Sequence, residues 1–358
     1  MHDNLILLER THNLAERIDR FYAEERTTQA LDLREITGKI EFCQTDSAFE
    51  TLYLLHAERK HWFPKTYHRM KTFPRFYLLK INPRQRFPRI YATRQIKTGV
   101  RYFGPFQSRG QFDQLKTMLE RTFRLRPCGY NIRGNDPYPD CLYFQMRTCS
   151  KPCNNDITRD DYLADIDDAI TFIKGQDEEL RQPLVQEIER LATNTHFEDA
   201  ARLQKKVERI ERARKDHRGA YHDLWAFDCM VVMEAGSTRR RKVAFVRGGA
   251  ILALEEHEIG EIQSTLEDSL KRHTGESGSK NSLEQRYEDF CLVSTFMTQP
   301  VKSVKIVQLN AHDAHDAHDA HDGHKVAVES VLQKIEEDRI ARQPKAEPET
   351  GPGPEDDS

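Results

Sequence analysis

Apolar positions along the 358-residue chain alternate between a spacing of about 3.6 residues and a spacing of two, so helices and strands can be placed in order. Leu5-Ile6-Leu7-Leu8 reads as a strand. Leu14, Ile18 and Phe21 then predict a helix capped by Thr11 or Asn13. ITGKIEF at 36–42 alternates like a strand, and Asp46-Ser47 opens a helix through Phe49, Leu52, Tyr53 and Leu55 to about Trp62. Phe76–Ile81 and Arg89–Thr93 predict two strands joined by a turn at Asn82-Pro83. Tyr102–Phe106 reads as a strand end and turn, and Gln111–Phe123 as a helix showing Leu115, Met118, Leu119 and Thr122 on one face. The order β-α-β-α-β-β-α describes a small α+β domain. A strand so close to the initiator Met, with no partner before it, reads either as a domain entered midway or as an edge strand paired later.

The second half continues the mixture. Thr158–Lys174 predicts a helix with Asp160 and Asp161 in its first turn, Tyr162, Ile166, Ile170 and Ile173 inward, and Gly175 at its end. Glu178–Ala192 follows, and Thr195 with Glu198 forms an S/T-x-x-E capping box for a helix from Phe197 to about Arg214. These last two make a hairpin whose apolar stripe closes on itself or docks a partner. Phe227–Met233, Lys242–Val246 and Ile251–Glu255 read as strands, the last two joined at Gly248-Gly249. Leu283–Met297 reads as a helix and Val304–Leu309 as a closing strand, with no catalytic cluster among them. Four AHD triplets and Gly-His fill 311–324, a low-complexity linker in preference to a weak metal site. A short helix within 325–342 and a disordered acidic tail complete the chain.

Composition adds two features. No signal peptide or transmembrane run is present, so a reducing, cytoplasmic setting is expected and disulfides are not. Four of the seven cysteines, Cys128, Cys141, Cys149 and Cys153, stand in C-x12-C-x7-C-x3-C spacing, the first half kept looped by Pro and Gly. Thiolates gathered in a cytosolic chain most often hold a metal. Four unrelated cysteines are the bland alternative, and spacing does not choose between zinc and an iron–sulfur cluster. Net charge is only −3, but between Arg59 and Arg126 there are 18 Lys and Arg against Asp113 and Glu120. Such a run predicts a surface for a polyanion. Arg59, Lys60, Lys65, Arg69, Lys71 and Arg101 are the candidate DNA contacts. The interleaved aromatics, Trp62 to Phe106, are read more as core than as stacking surfaces for bases.

Several landmarks occur in one order: Asn13-Leu14 before a helix, Thr45-Asp46-Ser47, FPRIYATR at 87–94, RYFGPF at 101–106, the four cysteines, HFEDAARLQKKVERI at 196–210 and YEDFCLVS at 287–294. Over about residues 5–309 the chain resembles the UvrC family of the excinuclease ABC system, most of all its short Cho-type members. The resemblance implies a GIY-YIG endonuclease domain, a 4Fe–4S cluster on Cys128, Cys141, Cys149 and Cys153 with zinc as the alternative, and a UVR helical hairpin at 187–214. That hairpin would dock the excinuclease B subunit through Phe197, Ala200, Ala201 and Leu203. The implied organisation is a degenerate GIY-YIG domain at 1–126, a cysteine segment at 127–156, and a helical region at 157–218. A small α+β module at 219–310 and a tail at 311–358 follow.

Departures from the family pattern fall on the catalytic positions. The GIY strand is absent, and the YIG position reads Leu7-Leu8-Glu9. The position of the metal-binding Glu holds Leu55 or His56, with Glu58 a turn away, and the following Asn is matched by His68. Only the helix Arg, Arg17, is kept. Phosphodiester hydrolysis needs an anchored metal, so a weak or absent nuclease is expected, with Mg2+ or Mn2+ relevant only if activity survives. The expected role is a DNA-binding protein of nucleotide excision repair and the SOS response, acting on damaged duplex DNA as an accessory or decoy. The alternatives are an active Cho-like enzyme nicking 3′ to a lesion with Glu9, Glu58 or His56 as substitute ligands, and a fragment of an exonuclease–GIY-YIG fusion.

Overall fold

The computed structural model describes residues 5, 7–23, 36–130, 132, 141–216, 221–274, 282–309 and 328–336. Helix α1 spans Leu14–Ala23 and α2 spans Ala48–Trp62. Strands β1 (Tyr77–Ile81), β2 (Ile90–Thr93) and β3 (Arg101–Phe106) precede α3 (Arg109–Thr122). A single turn α4 (Leu142–Gln145) lies between the second and third of the four cysteines, followed by α5 (Arg159–Ile173), α6 (Asp177–Thr193) and α7 (Phe197–Asp216). The remaining elements are β4 (His222–Asp223), β5 (Cys229–Glu234), β6 (Arg240–Arg247), β7 (Ala250–Glu258), α8 (Ile262–Thr274), α9 (Leu283–Thr298) and β8 (Val304–Gln308). The fold class is α+β, as expected.

The strands form two antiparallel sheets, ordered β2-β1-β3-β4 and β7-β6-β5-β8. Both faces of the first sheet are buried. Leu79, Ile81, Ile90, Phe103 and Phe106 face a core shared with Leu115 and Leu119 of α3, Tyr162 and Ile166 of α5, and Ile210 and Ala213 of α7. Phe76, Leu78 and Tyr102 face a second core with Phe49 and Leu52 of α2, Tyr287 and Phe290 of α9, and Val231 of the second sheet. The other face of that second sheet packs Met230, Val232 and Phe245 on α8 and on Val328 and Val331 of a helical segment at 328–336. Two-residue alternation therefore splits neighbouring side chains between cores.

Local signals explain several boundaries. Ser47 caps α2 by accepting the Glu50 N–H at 3.1 Å, and the Glu50 carboxylate accepts the Asp46 N–H at 3.0 Å. Thr158 caps α5 by accepting the Asp161 N–H at 3.1 Å. Gly248 and Gly249, at φ of 53° and 76°, make the two-residue turn between Arg247 and Ala250.

Other expectations are corrected. Leu5, Leu7 and Leu8 are not in a strand, and neither is 36–42, where Ile36, Ile40 and Phe42 are exposed. Alternation does not make a strand without a neighbour to accept its ladder bonds. Tyr102–Phe106, read as a strand end, is the middle of the first sheet. One core runs from Leu79 to Tyr221, across residue 126, and α2 packs both on the first sheet and on α9. Helix α8 had no sequence prediction. The AHD triplets and the tail lie outside the described residues.

The hairpin turn is also different from the predicted capping box. Thr195 sits at φ 62°, its N–H bonds Ala192 O at 3.1 Å, and the His196 N–H bonds Leu191 O at 2.9 Å. That is a Schellman ending of α6, with Thr195 in the left-handed position usually held by glycine. A β-branched residue is strained there. Thr195→Gly should therefore raise the thermal unfolding midpoint by about 1–3 °C. A lowered midpoint would show that the Thr195 side chain contributes more than its backbone strain costs.

Candidate functional site

The cysteine segment begins where the chain leaves α3. Burial of Phe123, Leu125 and Arg126 fixes its start, and Pro152 and Cys153 its end. All four cysteines are free thiols; Cys149 and Cys153 are buried, Cys128 and Cys141 half-buried. Cys149 is pushed up to about 11 by burial, and further by the neighbouring thiols of Cys128, Cys141 and Cys153. Cys153 is raised by burial first and then by Cys141 and Cys128. The sequence-predicted set is thus gathered in one region. Among the described residues, however, no three His, Cys, Asp or Glu side chains close to an arrangement that holds a metal ion.

The surroundings of these thiols are cationic and strained. Arg126 is 3 % exposed. It donates to Phe87 O at 2.9 Å, to Tyr130 O at 2.6 Å and to Cys128 Sγ at 3.8 Å, and no carboxylate pairs with it among the described residues. A buried guanidinium needs an anion, and the thiols are the acidic groups it reaches. Lys151 N–H donates to Cys149 Sγ at 3.4 Å, and Arg89 donates to Cys128 O at 3.2 Å. Arg124, Arg147, Lys151 and Asn155 all have φ between 55° and 59°. Left-handed turns of this kind aim backbone N–H groups into anion-binding hollows. Thiolate donors, N–H groups aimed at sulfur and a buried cation fit a negatively charged metal–thiolate group.

The expected nuclease positions are occupied differently. Arg17 on α1 donates through Nε and Nη2 to both carboxylate oxygens of Glu9. His56 Nε2 lies 3.2 Å from Glu288 Oε2, and its ring packs on Tyr67 and Phe73. Lys60 Nζ reaches Gln285 and, at 3.2 Å, the same Glu288 carboxylate, which is 4 % exposed. Tyr67 is pushed up to about 12 by burial and by the charges of Glu288 and Glu284. Glu58 accepts from Trp62 Nε1 at 3.1 Å. His56 and Lys60 fasten α2 to α9, a seam that no local pattern announces because its halves lie more than 200 positions apart.

The basic candidates divide. Arg59 donates to Met70 O and Thr72 Oγ1, Lys60 belongs to the seam, and Arg101 pairs with Asp167 at 3.1 Å. Lys65, Arg69 and Lys71 are exposed. Of the expected aromatics, Phe76, Tyr102 and Phe106 are core, as read. On the hairpin, Phe197 is 65 % exposed and Ala201 is exposed, whereas Leu203 is half-buried and Ala200 buried. The far end of the hairpin closes on α3 and α5 through Ile210 and Ala213, which leaves Phe197 and Ala201 at its tip facing solvent. A cavity of about 500 Å3 beside Asp46, lined by Ser237, Arg239 and Arg240 with Glu256 and Glu258, holds opposed charges that pair with each other.

Comparison with known proteins places these features. Residues 76–172 match the family model described as UvrC/Cho excinuclease, middle domain. That stretch takes in β1–β3, α3, the cysteine segment and all but the end of α5. The chain is 28% identical to the UvrABC system protein C of Thermoanaerobacter sp. over 236 residues, 63% of this chain and 38% of that one. It is 28% identical to that of Trichlorobacter lovleyi over 249 residues (69% and 41%) and 25% identical to that of Treponema denticola over 309 residues (82% and 46%). The chain therefore spans less than half the length of these relatives. No solved structure matches it.

The α2–α9 seam carries a pH dependence. Asp289 accepts from Ile251 N at 3.0 Å and from Gln285 Nε2 at 2.7 Å, yet burial outweighs both and raises its carboxyl to about 6. The native state then binds the Asp289 proton more tightly than the unfolded chain does, so the contribution of this group to stability is fully present below about pH 4 and is lost as pH rises through about 6. The fall is on the order of 2–3 kcal/mol. Asp289→Asn should flatten the change in unfolding midpoint between about pH 4.5 and 7.5. An unchanged slope would assign that titration elsewhere.

Proposed function

We propose that the chain, whose residues 76–172 match the UvrC/Cho excinuclease middle domain, is a DNA-binding protein of nucleotide excision repair whose own GIY-YIG nuclease is weak or absent. It would work in the bacterial cytoplasm on damaged duplex DNA. The observation that carries the reading is the closed pair of Arg17 and Glu9. Arg17 is the retained cation of the family site, and a cation held by both oxygens of a carboxylate is not free to offset charge developing on a phosphate. The position that holds a metal-binding Glu in relatives is, in this chain, Leu55 in the core or His56 bound to Glu288. A metal at such a site lacks its hard anionic anchor.

We assign the four cysteines to a 4Fe–4S cluster, with zinc as the rival. Cys128, Cys141, Cys149 and Cys153 would be the ligands, and the group would tie the ends of the segment together and so stabilise both flanking regions. Arg126 would offset its negative charge. Phe197 and Ala201 at the hairpin tip are assigned to docking the excinuclease B subunit, since an exposed aromatic at a helix start is an efficient interface anchor.

Two experiments test this reading. Protein purified without oxygen should carry iron and labile sulfide with a visible absorption band. Cys149→Ser should lose both, and Arg126→Met should lower the content while Arg126→Lys retains more. Zinc in stoichiometric amount without sulfide would overturn the cluster assignment. On a duplex with one bulky adduct, with the A and B subunits and Mg2+ or Mn2+ present, the chain should shift the DNA without nicking it. Phe197→Ala should weaken the complex that contains the B subunit. A 3′-side nick abolished by Arg17→Ala would make the chain an enzyme and sink the accessory reading.

A further inference from the structure

Three of the six cations expected to be free, Arg59, Lys60 and Arg101, are engaged, and the fold leaves others free that were not among the six. Between Phe76 and Arg126 the acids are Asp113 and Glu120, which pair with Arg109 at 3.0 Å and Lys116 at 2.6 Å on α3 itself. Lys80, Arg84, Arg86, Arg94 and Lys97 have no ion pair among the described residues. They surround the edge strand β2. Lys80 stands opposite Tyr91 on one side and Tyr102 on the other, so all three share one face of the sheet. The segment 94–100 crosses this face, burying Ile96 and Val100, and the Lys97 N–H donates to the Tyr102 hydroxyl at 2.9 Å. The Arg84 guanidinium lies directly over Gly99, where a Cβ would come within 2.6 Å of it. Arg94 stacks on Tyr77 at 3.9 Å.

The centre of this surface is already tuned for negative charge. Arg89 stacks on the Tyr91 ring at 4.2 Å, and Gln85 Nε2 donates to its hydroxyl at 3.1 Å. Burial raises the Tyr91 phenol, but these bonds and the charges of Arg89 and Arg126 outweigh burial and lower it. Glu120 is in electrostatic reach of Arg89 and is already bridged to Lys116. Cations gathered on one edge without counter-charges raise the local potential and bind a polyanion by releasing its counterions.

We infer that the β2 edge of the first sheet, with Lys80, Arg84, Arg86, Arg94 and Lys97 around Tyr91, is the surface that holds the phosphate backbone of DNA. The inference rests on the DNA-binding reading above and locates it on the middle domain, not on the α2 end where Arg59 and Lys60 are engaged. Its occupant is a nucleic-acid backbone because the cations are spread along the outermost strand and its flanking turns, where Arg84, Arg86, Arg94 and Lys97 are exposed, instead of converging on a point.

The test uses the full chain and a labelled duplex of about 30 base pairs, read by fluorescence anisotropy across a salt series. The triple variant Arg84→Gln, Arg94→Gln, Lys97→Gln alters exposed side chains only, and its unfolding midpoint checks that it folds. Affinity near 0.1 M salt should fall by about tenfold or more, and the slope of log affinity against log salt should flatten by about 2–3. A second triple, Lys65→Gln, Arg69→Gln, Lys71→Gln, should change both much less. Loss of binding in the second triple with the first unaffected overturns the inference and leaves the DNA-binding reading intact. So does full binding by both. A wild-type chain that binds no DNA overturns the inference and that reading together.

Discussion

Strand β1 is the constraint on which the arrangement depends. Leu78 and Leu79 are adjacent and both fully buried, and in a strand adjacent side chains point to opposite faces. Each therefore needs its own apolar cover. Helices α3, α5 and α7 cover one face; α2, α9 and the second sheet cover the other. The two cores cannot be separated without exposing one face of the sheet. This is why the segments outside the family-matched stretch are not appendages: α7 completes one wall of its sheet, and α2, α9 and the second sheet make the other.

Charge follows from the same geometry. With both faces covered, the first sheet meets solvent chiefly at its edge and turns, and Arg84, Arg86, Arg94 and Lys97 collect there. Where cations are drawn inward they acquire specific partners: Lys60 and His56 share Glu288, Lys242 bridges Asp46 and Glu50 at 2.7 Å each, and Lys206 is held by Asp165 at 2.9 Å. Arg126 is held differently, buried against the Cys128 thiol and carbonyl oxygens with no carboxylate among the described residues. A buried charge without an ionic partner is costly, so the region around Cys128 is organised for an anion.

The comparison between α1 and α2 shows how family chemistry and fold diverge. Helix α1 forms with its apolar stripe but buries none of its residues. Helix α2 retains its Ser47 cap and its inward Phe49 and Leu52, while the side chains near the expected metal position serve the contact with α9. The frame around the expected nuclease site is kept for packing, and its polar groups neutralise one another.

Periodicity and caps were enough to place α2, β1, β2, α3, α5, β5–β7 and α9, because each has a clean apolar rhythm and a local start or stop. The cysteine spacing and the basic run were equally plain, being local in the chain. The sequence did not exclude the strands expected at 5–8 and 36–42, because alternation describes one strand and pairing requires two. Nor did it reveal that Thr195 ends one helix instead of starting the next, which depends on the φ of a single residue. Which cations stay free was decided only by tertiary structure. Arg59, Lys60 and Arg101 look like Arg84, Arg94 and Lys97 in the sequence, and what separates them is the presence of Thr72, Glu288 or Asp167 within bonding distance after the chain has folded. Composition sets the total charge, but exposure and partners set where a charge can act.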